Sequence, residues 1–310
     1  MANKKFVISG LDNAGKTSIL TALAKKYNFI EECKQLQPTV RVAYSRTDFL
    51  GNLIHFWDMG GQVKYRNQYL KKVEYYFADV DVIYYIIDIQ DKNKYDDSLA
   101  YFTSIFNYLK HINHFVPVVI CFHKLDPELR ENEEVKCSIE DWQEMIAEQF
   151  PDWFFLFAET SIYDIRSIVR VMSIGFNLFV KNYEAMIGLY ETFRQQINGH
   201  AVILYTLGGI IISEAYAGDM TPDMQDQVFD RVREDLKDLQ NISDEQAHPN
   251  GFYRDMGKFK TYLHRVSVIG NDFYIGVFFP SEKEDVFATR FPDFREKTIQ
   301  MLEAMRPPSH

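Results

Sequence analysis

The chain of 310 residues carries 34 Lys and Arg against 44 Asp and Glu, a net charge of -10, and at roughly 100–200 residues per domain this length favours two domains. A hydrophobic fraction of 46% beside 25% charged residues excludes a mainly disordered chain, and the acidic balance argues against nucleic acid as a partner. No run of about 18 apolar residues occurs, so direct membrane insertion is not expected. The cysteines Cys33, Cys121 and Cys137 have neither metal-site spacing nor the even number of a disulfide framework, which suits a cytoplasmic, reducing setting.

In chain order, strands are expected at Phe6–Ser9, Val40–Thr47, Leu53–Trp57, Val82–Ile89, Val116–Phe122 and Phe154–Ala158, with helix-like segments between most of them. Several are continuous apolar runs, as strands covered on both faces are. Leu50-Gly51-Asn52 stands at hairpin distance between the second and third runs, which makes that edge pair antiparallel. The alternation implies an α/β domain with a mostly parallel six-stranded sheet and helices on both faces.

From Tyr163 to Gln196 two helices in series are expected, one closing a first domain (1–182) and the next opening a second (183–310). The second domain reads as strands Val202–Leu207 and Ile210–Tyr216 joined at Gly208-Gly209, then a helix over Pro222–Leu239. Further strands fall across Lys258–Phe279 and a last helix near Asp293–Met305, an α+β order. Thr221 is a helix cap before Pro222, and Met224, Val228, Val232, Leu236 and Leu239 fall on one helical face. Nine acids between Asp219 and Glu245, against Arg231, Arg233 and Lys237, read as a solvated face of that helix.

The chemistry begins at Gly10-Leu-Asp-Asn-Ala-Gly15-Lys16-Thr17, which fits G-x-x-x-x-G-K-[ST] between a strand and a helix. Glycines let backbone N–H groups close around phosphate oxygens, and the helix start adds the positive end of its dipole. Asp12, Asn13, Ala14, Gly15, Lys16, Thr17 and Ser18 are the candidate nucleotide-binding run. Lys16 would reach the β- and γ-phosphates, and the Thr17 hydroxyl would sit on Mg²⁺. After the third strand, Asp58 of Trp57-Asp58-Met59-Gly60-Gly61-Gln62 can hold the Mg²⁺ shell. The Gly61 backbone can approach the γ-phosphate, and Gln62 is placed to orient the attacking water. Thr39, after Pro38, is the candidate second Mg²⁺ ligand.

Together these motifs resemble a Ras-superfamily small GTPase: the phosphate loop is similar to the Arf family's, whereas Phe49–Gln62 resembles the Rag/Gtr family of signalling GTPases. His123-Lys124-Leu125-Asp126 follows the fifth strand and resembles the Rag form of the Asn-Lys-x-Asp motif. Asp126 would accept hydrogen bonds from guanine N1–H and N2–H₂, donors that adenine lacks there. Lys124 would lay its aliphatic stem along the base, and His123 stands where Asn is usual. Thr160-Ser161-Ile162 resembles the loop whose Ser and Ile backbone approaches guanine O6.

The resemblance implies a Mg²⁺-dependent GTP/GDP switch with slow hydrolysis, catalysed through Gln62 and Lys16. Arg41 has no clear route to the γ-phosphate, and no arginine is obviously placed to act in cis. The order of elements in 183–310 is similar to a roadblock/longin-type domain, which implies homo- or heterodimerisation, with activating and exchange proteins as further partners. Ala2 and the Pro-Pro-Ser-His310 end carry no lipidation signal, so residence at a membrane surface would come from a partner. Two other readings stay open: an Arf-like trafficking GTPase with a C-terminal adaptor, and a GTP-binding scaffold subunit with little hydrolysis.

Overall fold

Two strand runs, Val82-Ile-Tyr-Tyr-Ile-Ile-Asp88 and Val118-Val-Ile-Cys-Phe-His123, have almost no polar positions, and both are buried along nearly their whole length. Only a layer covered on both faces accommodates them. The computed structural model, which describes residues 2–25, 29–50, 52–179, 182–206, 209–241, 251–268 and 270–305, puts these runs inside a six-stranded sheet. Contacts divide the chain into two compact units that meet in sequence at Gly175 and Phe176.

The first unit runs β1 (Ala2–Gly10), α1 (Lys16–Lys25), α2 (Ile30–Lys34), β2 (Val42–Phe49), β3 (Asn52–Met59), α3 (Val63–Lys71), α4 (Val73–Phe77) and β4 (Val82–Asp88). It continues with α5 (Tyr95–His111), β5 (Val118–His123), α6 (Glu133–Gln149), β6 (Phe155–Thr160) and α7, whose span is Ile165–Asn177. The strand order is β2-β3-β1-β4-β5-β6, parallel except for the antiparallel β2–β3 edge. All six expected strands and the antiparallel edge pair are therefore present; Gly51 of the expected turn lies outside the described residues. The chain leaves β1 toward β3 on one side and β4 on the other, so the loops at the carboxyl ends diverge beside β1 and open a crevice there.

Aromatic residues fill much of this unit. On one face Phe102 and Phe106, a turn apart on α5, stack with centroids 4.1 Å apart, and Phe106 meets Trp153 at 5.0 Å. On the other face the Tyr84 hydroxyl donates to the Met172 carbonyl at 3.0 Å. A Cβ on Gly175 would lie 1.9 Å from the Tyr84 oxygen, so glycine there lets α7 lie close against the sheet. Tyr75, in contrast, stays exposed against Tyr76 and the edge of Trp57.

The second unit carries α8 (Tyr183–Gln196), β7 (Ala201–Thr206), β8 (Ile211–Tyr216), α9 (Pro222–Asn241), β9 (Phe252–Asp255), β10 (Phe259–Val268), β11 (Asn271–Pro280) and α10 (Glu284–Ala304). Its strands form an antiparallel sheet in the order β8-β7-β11-β10-β9. Phe279 of β11 stacks on Phe287 of α10, and Phe193 of α8 stacks on Phe294. Gly276, on the opposite face of β11, leaves room for the Tyr205 hydroxyl of β7, which a Cβ there would approach to 2.7 Å, and Val232 of α9 packs beside it. Helices thus cover both faces. The Thr221 hydroxyl accepts from the Met224 N–H at 3.3 Å, capping α9 as expected.

Three expectations need correction. The last helix begins at Glu284, not near Asp293, and runs through Pro292. Buried Phe287, Phe291 and Phe294 recur at helical spacing and hold it continuous despite the missing N–H. On α9 Met224 is exposed and Phe229 is buried beside Val232 and Leu236, because the stripe is set by the surface the sheet offers. The acidic face is not wholly solvated: Asp235 is buried, paired with Arg231 at 3.2 Å and Arg254 at 2.9 Å. Leu207, Gly208, Asp244 and Glu245 lie outside the described residues, as do the side chains of Lys237, Asp238 and Leu239.

Candidate functional site

The loop between β1 and α1 is bent by positive φ values at Gly10 (138°), Asn13 (61°) and Gly15 (93°). A side chain on Gly10 would lie 2.3 Å from the Ile86 carbonyl oxygen, so the loop starts tight against β4. Lys16 opens α1 and folds back, donating to the Gly10 carbonyl at 3.1 Å and the Leu11 carbonyl at 2.5 Å. An ammonium has three donors, which leaves one for an anion. Burial lowers its pKa to about 8, although Asp58 and Asp12 pull it upward. A phosphate in contact would favour the charged form further and raise this value.

Thr17, Thr39 and Asp58 come from α1, the segment before β2, and the end of β3, yet their oxygens converge. Thr17 Oγ1 donates to Asp58 Oδ2 at 2.6 Å and lies 2.7 Å from Thr39 Oγ1, while Thr39 Oγ1 donates to the same carboxylate oxygen at 3.2 Å. Asp58 is buried, its second oxygen has no hydrogen-bond partner, and burial raises its pKa against the opposing effects of Thr17, Lys16 and Thr39. Two hydroxyls and one carboxylate are hard oxygen donors that suit Mg²⁺, an ion that takes few protein ligands and completes its shell with water and phosphate.

Beyond Asp58 the backbone is wedged between loops. Gly60 N–H donates to the Arg41 carbonyl at 2.6 Å, and a Cβ on Gly61 would lie 2.2 Å from Asp12 N and Leu11 C. Gln62 caps α3 with its backbone and makes no side-chain capping bond. Asp12, Asn13, Gly15, Lys16, Thr17, Ser18, Thr39, Gly61 and Gln62 all line one cleft of about 260 Å³, with Cys33, Leu36, Gln37 and Pro38 completing its wall. Ala14 is buried behind the loop and does not line the cleft.

The remaining candidates form a second cluster at the ends of β5 and β6. Lys124, at φ 65°, pairs with Asp88 at 2.6 Å. Asp126 accepts from Ser161 Oγ at 2.5 Å through one oxygen and from Gln90 Nε2 at 3.3 Å through the other. Ile162 follows in the adjoining turn. None of these lines the phosphate-loop cleft. His123 joins the two clusters: its Nδ1 lies 2.9 Å from Thr160 Oγ1, and its ring sits under Gly15, where a Cβ would come 2.2 Å from Cδ2. Burial, reinforced by Lys124, lowers its pKa to about 3, so the imidazole is neutral.

Residues 5–238 match the Gtr1/RagA G protein conserved region. The chain belongs to the Gtr1/RagA G protein family. It is 28% identical over 125 residues to Ras-related GTP-binding protein A of Dictyostelium discoideum, covering 40% of this chain and 41% of that protein. It is 35% identical over 102 residues to ADP-ribosylation factor-like protein 3 of Saccharomyces cerevisiae, covering 31% and 49%. The matched stretches thus span half or less of these curated relatives. Among solved structures, the Arl6 BBS3 small GTPase from Trypanosoma brucei with bound GppNp aligns over 56% of this chain and 95% of that one, at 19% identity and a TM-score of 0.43.

Within this Gtr1/RagA chain, several polar residues around the site carried no motif. Gln90 also donates to the Lys124 carbonyl at 2.7 Å, Lys94 reaches Asp12 at 3.5 Å, Arg130 pairs with Asp164, and Arg66 donates to the Gly61 carbonyl at 2.9 Å. Only Arg66 had a usable signal, standing four residues after Gln62 on the helix that Gln62 opens.

Proposed function

We propose that the chain is a GTP-binding switch that hydrolyses GTP slowly. The observation that carries this is the gathering of Lys16, Thr17, Thr39, Gly61 and Gln62 around one cleft, with Asp58 bonded beneath them. Backbone N–H groups of the loop and the start of α1 would cradle the phosphates, and Lys16 would neutralise charge developing on the β- and γ-phosphates. Gln62 would orient water for in-line attack on the γ-phosphorus. Thr17, Thr39 and Asp58 would hold Mg²⁺, Asp58 through water. The ion would supply electrostatic stabilisation of the triphosphate. Asp126, held by Ser161 and Gln90, would read guanine N1–H and N2–H₂, with Lys124 along the base and the Ser161–Ile162 backbone near O6.

We assign residues 1–182 to this activity and residues 183–310 to homo- or heterodimerisation. Exposed Tyr253, Met256 and Phe259 at the β9 side of the second sheet support a pairing surface. Activating and exchange proteins complete the partners, and three unpaired cysteines support a cytoplasmic setting. Among the described residues no helix is long and apolar enough to cross a membrane.

Two measurements on purified protein test the proposal. Nucleotide released on denaturation should be GTP or GDP; ATP would overturn the role of Asp126. Gln62→Leu should lower single-turnover hydrolysis while leaving GTP affinity within about twofold. Hydrolysis below detection in the wild type would favour a GTP-binding scaffold instead.

A further inference from the structure

Arg66 lies in the first turn of α3, four residues after Gln62. Its Nε donates to the Gly61 carbonyl at 2.9 Å, and its guanidinium lies over the Tyr101 ring, 5.4 Å from the centroid. Tyr101 is buried on α5 and its hydroxyl accepts from Ser9 Oγ at 3.4 Å, so this platform is anchored beside the strand end that begins the phosphate loop. The next carbonyl is also occupied: Gln62 O accepts from the N–H groups of Tyr65 at 2.9 Å and Arg66 at 3.0 Å. On its other side Gly61 has no slack, because a Cβ there would lie 2.2 Å from Leu11 C and Asp12 N. The carbonyls on both sides of the Gln62 Cα are therefore pinned, and the freedom left at that residue is in its side-chain torsions.

We propose that Arg66 is a positioning residue for hydrolysis. It clamps the Gly61–Gln62 peptide against the phosphate loop so that the Gln62 carboxamide enters the cleft from one fixed backbone direction. The inference rests on the proposed role of Gln62. Arginine suits the place because its planar fork stacks on a ring while donating in its own plane to a carbonyl. Lysine can reach the carbonyl but does not reproduce the stack. Without the clamp the peptide can turn, and a misplacement of about 1 Å in a positioning element costs about 100-fold in rate.

The test is single-turnover GTP hydrolysis by the full chain as wild type, Arg66→Met, Arg66→Lys, Gln62→Leu and the Arg66→Met/Gln62→Leu double variant. GTP and GDP affinities and melting temperatures are measured in parallel. Arg66→Met should lower the rate about 10- to 100-fold with affinities within about twofold, Arg66→Lys should fall between, and the double variant should be no slower than Gln62→Leu. Multiplying losses in the double variant would overturn the proposal, since Arg66 would then act independently of Gln62. Affinity or melting temperature falling in step with rate would also overturn it, reducing Arg66 to a structural contact. An impaired Gln62→Leu protein beside an unimpaired Arg66→Met protein removes the Arg66 role alone. An unimpaired Gln62→Leu protein removes the role of Gln62 and the proposal with it.

Discussion

Acid should loosen the phosphate loop through one side chain. His123 takes up a proton near pH 6.5 in the unfolded chain but only near pH 3 when folded, because burial and the neighbouring Lys124 disfavour the imidazolium. Its folded pKa lies below the unfolded one, so between these values the unfolded state binds more protons. The stability due to neutral His123 is complete above pH 6.5 and is lost progressively as pH falls. At pH 5 the loss is about 2 kcal/mol, a drop of about 4–8 °C in melting temperature for a unit of this size. Replacing His123 with Asn keeps a polar partner for Thr160 but removes the titration. Thermal unfolding at several pH values between 7 and 4.5 should show a shallower acid decline for His123→Asn than for wild type. Comparing the two also cancels His264, whose pKa burial lowers to about 4. Equal slopes would refute the placement of a neutral imidazole under Gly15.

Other substitutions test separate contacts. Gly15→Ala would place a methyl 2.2 Å from His123 Cδ2 at a φ of 93°; GTP affinity by titration calorimetry should fall about 5- to 160-fold, since strain of about 1–3 kcal/mol enters the loop itself. Asp126→Ala should erase the preference for GTP over ATP in competition binding, and a preserved preference would remove its role as base reader. Gly175→Ala meets the Tyr84 hydroxyl at 1.9 Å and should cost about 1–3 kcal/mol in calorimetric stability, partly recovered by Tyr84→Phe. Pro292→Ala restores a donor to the Ala288 carbonyl inside α10 and should raise stability by about 1 kcal/mol or more; a decrease would mean that the helix needs its proline geometry.

The six strands of the first sheet were legible because runs such as Val82–Ile87 have no polar alternation to misread, and Gly10–Thr17 carries its chemistry within consecutive residues. Tertiary packing supplied what could not be read locally. Pro292 reads as a break, yet three phenylalanines facing the second sheet override it. Met224 fits a helical stripe on paper, but the face that α9 buries runs through Phe229, Val232 and Leu236 and leaves Met224 exposed. In the site, His123 and Gly15 could each be recognised by a place in a motif, while the contact between them could not, because it closes across three strands. Gln90 had no signal at all: its use depends on where β4 ends relative to the turn after β5.

The Arg41 carbonyl has a consequence for inheritance. One oxygen accepts both the Gly60 N–H and the Tyr69 hydroxyl, each at 2.6 Å, and so ties the Thr39 segment to the Gly60–Gln62 segment. The acceptor belongs to the main chain, and no exchange of the Arg41 side chain deletes it. A coding change can disturb either strand of the tie, Tyr69→Phe by removing the hydroxyl and any side chain at Gly60 by placing a Cβ 2.8 Å from the acceptor, but never the peptide oxygen itself. Random mutation therefore reaches this joint only through its donors, and the coupling of the two segments is inherited through Gly60 and Tyr69 whatever side chain stands at position 41.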